Sequence, residues 1–202
     1  MINKTIATLL LVFAAFVSSN RATFSQQISI NVKQGAPVSV GATAPDFTLI
    51  DQDGRQVQLS AEYKKQPVVL VFYRGYWWPY CARQLAELRS LLKSGEQVSV
   101  WAISIDSAEQ SKALAEKIAA DGMGKITFSL LSDPQHQVID DYSLRDPRYA
   151  GQKEEGIPYP AVYVIDKTGK VAWARIEKDY KQRPTNSEIR AAINALRWAS
   201  TR

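Results

Sequence analysis

Apolar and polar positions divide the chain into a regular succession of short elements. Residues 47–50 and 56–59 alternate apolar with polar on either side of Asp51-Gln52-Asp53-Gly54, a turn-forming cluster, and this predicts a β-hairpin. Residues 67–73 read Pro-Val-Val-Leu-Val-Phe-Tyr, the near-continuous β-branched and aromatic run of a strand buried on both faces. Over 79–93 the apolar positions Cys81, Leu85, Leu88 and Leu92 fall on one stripe of a helix whose first turn accepts Pro79. Cys81 lies on the buried side of that helix.

The pattern continues with a second buried strand at 98–105. Ser107 and Gln110 then form a capping box that opens a helix ending near Gly122. A third strand is predicted at 126–131, and a short helix from Asp133-Pro134 through Tyr142. Residues 145–159 are polar and without periodicity, and a loop of that length in a compact domain is usually functional or mobile. Residues 160–165 and 170–176 predict a second hairpin across Asp166-Lys167-Thr168-Gly169, and Thr185 with Glu188 caps a last helix. Strands alternating with helices, then two strands and a helix, imply an α/β fold: a mixed central sheet, helices on both faces and an N-terminal β-hairpin.

The N-terminus follows a different rule. Lys4 precedes an apolar run over 6–17 and then Ser18-Ser19-Asn20, the order of a secretory signal. The run is too short for a membrane span, which needs about 20 residues. The expected organisation is a signal peptide over 1–25, an extended lead-in over 26–42 and one domain over 43–202, within what a chain of 202 residues can fold around a single core. The expected location is exported, in a bacterial periplasm or secreted, with no stable membrane span once the leader is removed.

Charge narrows the partners. The net charge is +5, but Lys4 and Arg21 belong to the leader and the other basic residues are scattered, with no zinc-finger spacing, RNA-binding aromatic motif or basic helix, so no nucleic-acid partner is expected. One His and one Cys do not build a metal site, and no cofactor is expected. His136 is read as a surface helix residue.

Chemistry concentrates where the central strand feeds a helix N-terminus, the usual place for function in open α/β sheets. There, five of the nine residues in Tyr73-Arg74-Gly75-Tyr76-Trp77-Trp78-Pro79-Tyr80-Cys81 are aromatic, against 10% for the whole chain. Gly41-Ala42-Thr43-Ala44-Pro45-Asp46-Phe47-Thr48-Leu49 resembles the opening of the alkyl hydroperoxide reductase and thiol-specific antioxidant domains, a peroxiredoxin-like (redoxin) family of the thioredoxin-like superfamily. Residues 69–85, 130–134 and 161–170 continue that resemblance in order, and it covers roughly 41–196.

The resemblance implies a thioredoxin-like fold and antioxidant thiol chemistry, but neither of its active-site templates is complete. Where some members carry Trp-Cys-Pro-Tyr-Cys, this chain has Trp77-Trp78-Pro79-Tyr80-Cys81, with Trp78 in place of the first thiol. Peroxiredoxins place Pro and then Thr or Ser seven and three residues before the peroxidatic Cys, and an Arg at the start of a later strand. Here those positions hold Arg74, Trp78 and Pro160. Tyr159-Pro160-Ala161-Val162 also resembles the cis-proline element that faces the thiol loop in such folds.

A lone thiol cannot close an intramolecular disulfide. The enzymatic reading is therefore single-cysteine reduction of a peroxide or disulfide: Cys81 is the nucleophile, becomes a sulfenic acid and is recycled by an external thiol, either a thioredoxin-like protein or a small thiol. Arg74, Trp77, Trp78, Tyr80 and Pro160 shape its pocket, with Tyr76 beside them. An ordinary thiol, with a pKa near 8.5, is only about 3% ionised at pH 7. A helix N-terminus and a nearby Arg74 or Arg83 favour the anion, whereas apolar burial opposes it. The opposing reading is a redox-inactive module that keeps Cys81 as a small core residue and uses the Trp-Trp-Pro-Tyr loop to hold a protein or peptide.

Overall fold

The computed structural model describes residues 35–92 and 95–199. The proposed signal segment and residues 26–34 of the lead-in lie outside the described residues. The described residues form one seven-stranded mixed sheet with strand order β2-β1-β5-β4-β3-β6-β7. The strands are β1 (Thr48–Asp51), β2 (Gln56–Gln58), β3 (Val68–Phe72), β4 (Ser99–Ser104), β5 (Ser129–Ser132), β6 (Ala161–Ile165) and β7 (Val171–Ile176). β3, β4 and β5 run parallel, while β1 and β6 join them antiparallel.

The apolar run of β3 is explained by two cores, one on each face of the sheet. Val69 and Val71 point into one, with Leu85, Leu88, Leu114, Ile118, Ile189 and Ile193. Val68, Leu70 and Phe72 point into the other, with Leu59, Val138, Ile139 and Tyr142. Helices α2 (Pro79–Leu88), α3 (Ala108–Ala119) and α5 (Asn186–Ala199) therefore cover the first face. α1 (Leu59–Tyr63) and α4 (Gln137–Asp141) cover the second. Each fully buried Val, Leu or Ile contributes roughly 1.5–3 kcal/mol through removal from water, so these two layers set the position of every strand end.

Both predicted hairpins are present. β1 pairs with β2 and β6 with β7, and Ser107 and Gln110 make the reciprocal cap of α3. Thr185 and Glu188 likewise exchange hydrogen bonds at the start of α5.

Several boundaries differ from the sequence pattern: Leu59, expected to end a strand, opens α1, and three others have a visible cause. α2 stops at Leu88, where Arg89 turns aside to bond the Ala86 and Ile118 carbonyls and the Asp121 carboxylate; Leu91 still reaches the core through a turn. β5 begins at Ser129 because its ladder with β4 starts at the Trp101–Ser129 pair. α4 begins at Gln137, after His136 in a left-handed conformation (φ 49°). His136 is thus not a surface helix residue. It stands at the N-cap position without a side-chain bond to the helix N–H groups, and its Nδ1 lies 2.9 Å from an Asp140 carboxylate oxygen.

Asp133 follows β5 and accepts the Ile139 N–H at 3.0 Å. Burial pushes its carboxyl up to about 6, against the hydrogen bonds that favour the anion. A carboxyl raised in the folded state binds a proton more tightly there than in the unfolded chain, so its contribution to stability falls as pH rises from about 4 to about 6. Asp133→Asn removes that loss while keeping an acceptor for Ile139. Its melting temperature relative to the parent is expected to rise between pH 4 and pH 7, and a difference constant with pH would contradict this origin.

Candidate functional site

The thiol lies where the sequence pattern puts it. β3 ends at Phe72, residues 73–78 form the bend, and α2 starts at Pro79 with Trp78 as its N-cap. Trp78 offers no side-chain cap, and Pro79 has no N–H to satisfy, so the first turn keeps its positive end free of a polar side chain. Cys81 follows two residues after Pro79 and is fully buried.

Two N–H donors converge on the Cys81 sulfur. The Arg74 backbone N–H lies 3.4 Å from Sγ, and Arg183 Nη2 lies 3.5 Å from it. Arg183 was not among the residues singled out by sequence; it comes from the connection between β7 and α5. Arg83, by contrast, sits 5.9 Å over the exposed Tyr80 ring.

Arg74 is the largest fully buried side chain of the described residues. Nη1 bonds the Asp146 carboxylate at 3.0 Å, with both side chains inaccessible to solvent. Its guanidinium lies 4.8 Å from the Trp78 ring, 4.7 Å from Tyr149 and 5.5 Å from Tyr180. Burial pushes the Asp146 carboxyl up, but hydrogen bonds from Arg148 and Arg74 outweigh it and hold the group below the usual carboxylate range. The 145–159 segment is accordingly neither featureless nor remote. It contains a 3-10 turn (Pro147–Tyr149), is bridged by Arg145 and Pro158, and clamps the thiol loop through Asp146 and Tyr149.

The aromatic residues separate into two groups. Trp78 is half-buried, meets Tyr180 edge-on at 5.2 Å, and leaves its buried indole N–H without an acceptor, as do Nε and Nη2 of Arg74. Tyr76, Trp77 and Tyr80 are 38%, 38% and 37% exposed and form a rim outside the thiol. Pro160 is buried and lies beside Tyr73 through the β3–β6 register, in which Phe72 pairs with Ala161; no cis peptide bond occurs among the described residues. The Tyr73 hydroxyl, the Asp106 carboxylate and the Ser111 hydroxyl are buried with no hydrogen-bond partner in good geometry, and burial raises both the Tyr73 phenol and the Asp106 carboxyl.

The bend depends on Gly75. Its φ is +153°, and a β-carbon there would stand 2.2 Å from the Trp77 ring. Gly75→Ala is expected to lower stability by about 1–3 kcal/mol in urea melts through backbone strain, with the partly exposed Trp77 ring displaced. An unchanged midpoint would show that the bend tolerates a side chain.

Comparison with known proteins agrees with this fold. The sequence pattern of the AhpC/TSA family matches residues 40–174, which include Arg74, Cys81 and Pro160. Peroxiredoxin Bcp of Escherichia coli (strain K12) is 35% identical over 140 residues, covering 67% of this chain and 83% of that protein. The chloroplastic peroxiredoxin Q of Sedum lineare is 36% identical over 138 residues, covering 67% and 68% respectively. Among solved structures, the peroxidoxin BcpB of Mycobacterium tuberculosis superposes with a TM-score of 0.65 at 26% identity, over 80% of this chain and 97% of that one.

Proposed function

Because the chain belongs to the AhpC/TSA family, we propose that it is a single-cysteine thiol peroxidase with Cys81 as its nucleophile. The observation that carries this reading is the convergence of the Arg74 N–H and the Arg183 guanidinium on Sγ at the first turn of a helix, two donors placed to hydrogen-bond the sulfur of the one cysteine.

In the first step the Cys81 thiolate attacks one oxygen of a hydroperoxide. An S–O bond forms, the O–O bond breaks, and the leaving alkoxide or hydroxide takes up a proton. Sulfur is oxidised by two electrons and the peroxide reduced to an alcohol or water, leaving Cys81 as a sulfenic acid. The sequence holds one Cys, so reduction requires two external thiols, which leave as a disulfide with release of water. The sulfur is fully enclosed, and entry requires a covering side chain to move. The exposed Tyr76, Trp77 and Tyr80 rim is the surface from which a thiol reductant, protein or small molecule, would approach. The basic, apolar and small-residue order of the leader supports a periplasmic or secreted location.

A second reading rests on that same enclosure: a buried, inert Cys81 beneath an aromatic rim that holds a protein or peptide. Peroxide consumption with an external thiol in excess separates the two. The peroxidase consumes peroxide in proportion to enzyme and oxidises the thiol in step. Absence of both, with every candidate reductant and with the thiol of the folded protein inert to alkylation, leaves the binding module.

A further inference from the structure

We infer that Arg183 is the cation that activates the Cys81 sulfur, a role for which the strand-start position of the family pattern offers only Pro160. This rests on the reading of Cys81 as nucleophile.

Arg183 is held for the purpose. Nε bonds the buried Gln84 side chain at 2.8 Å, and Gln84 lies three residues after Cys81 on α2. Nη1 bonds the Tyr180 and Gln182 carbonyls. Pro184 is buried, and Thr185 opens the capped start of α5 directly after it. With these bonds made, Nη2 is the nitrogen that reaches Sγ, at 3.5 Å.

The charge balance strengthens the assignment. Each partner named above is neutral, and none of the carboxylates of the described residues pairs with Arg183. Arg74 meets the sulfur through its backbone N–H, while its guanidinium is turned to the Asp146 carboxylate, which it shares with Arg148. Tyr73 shares the buried cluster with Cys81, and burial keeps it in its neutral phenol form. A cation without a carboxylate, 3.5 Å from a thiol, gains a counter-ion only when that thiol ionises. Arg183 also lies beyond residues 40–174, the span of the family pattern, so that pattern does not assign it.

The test compares the pH profile of iodoacetamide alkylation of Cys81 with kcat/KM for hydrogen peroxide in the parent, Arg183→Gln and Arg183→Lys. Losing an opposite charge at this range moves an ionisation midpoint by roughly 1–3 pH units. Arg183→Gln is expected to move the alkylation midpoint to higher pH by at least about one unit and to lower kcat/KM at neutral pH on the order of tenfold. Arg183→Lys restores part of both. If Arg183→Gln does not fold, Gln84→Met, which keeps the cation but frees it from its tether, reads the same dependence as a smaller alkaline shift. A midpoint and kcat/KM shared by parent and folded variants overturn the role of Arg183 and leave Cys81 as nucleophile. A parent that neither alkylates nor consumes peroxide overturns both.

Discussion

Arg74→Met is expected to cost the protein about 3 kcal/mol of stability, the lower end of the roughly 3–5 kcal/mol seen when one partner of a buried ion pair is removed. The lower end applies because Asp146 keeps Arg148, whose guanidinium bonds it at 2.6 Å and 2.8 Å. For a domain of this size the loss corresponds to a fall in melting temperature of roughly 6–12 °C. The reverse change, Asp146→Asn, strands a fully buried guanidinium whose Nε and Nη2 already lack acceptors, and its loss should be at least as large. The double variant Arg74→Met/Asp146→Asn should recover part of the sum, because no uncompensated charge then remains in the core. Strict additivity of the two single losses would show that the pair does not act as a unit. Since Asp146 belongs to the 145–159 segment, the same variants should also make that segment a preferred site of limited proteolysis.

Cys81→Ser carries the largest expected effect on activity: loss of peroxide consumption to the background of the uncatalysed reaction, with the fold retained. A serine hydroxyl stays protonated at neutral pH and makes a poor nucleophile without a base positioned to activate it. The Arg74 N–H and Arg183 donors that meet sulfur can meet the smaller oxygen instead, so the buried hydroxyl is not left unsatisfied. The expected stability loss is about 1–2 kcal/mol, from the polar atom placed beside Leu85 and Val71. Residual turnover above background in a folded Cys81→Ser protein would move the chemistry away from the thiol.

The parts of this site legible in the sequence are those built from local pattern. The apolar run of 68–72 can only be a strand covered on both sides, and the spacing of Cys81, Leu85 and Leu88 fixes which side of α2 the sulfur takes. Capping boxes at Ser107 and Thr185 are local chemistry and were equally readable. Arg74 was legible as a neighbour of the thiol, but its partner Asp146 stands 72 positions away, in a segment with no periodicity. Arg183 is 102 positions from Cys81, on a connection whose sequence, Tyr180-Lys181-Gln182-Arg183-Pro184, reads as ordinary surface. The signal that existed was indirect: a buried arginine at the end of a core strand demands an acid, and a short Pro-terminated turn before a capped helix fixes whatever side chain precedes it. The shorter α2 shows the converse limit, since Leu91 is buried although the helix has ended, so apolar spacing outlives the element that explains it.

The central claim is that the enclosed Cys81 sulfur reacts with peroxide in the native protein. Its most direct test is to add one equivalent of hydrogen peroxide to the reduced, folded protein with a sulfenic-acid trapping reagent, then map the modification by mass spectrometry. The account predicts stoichiometric labelling of the peptide containing Cys81 and none in Cys81→Ser. Peroxide left unconsumed with Cys81 still a free thiol, or consumed with the label on another residue, would contradict it.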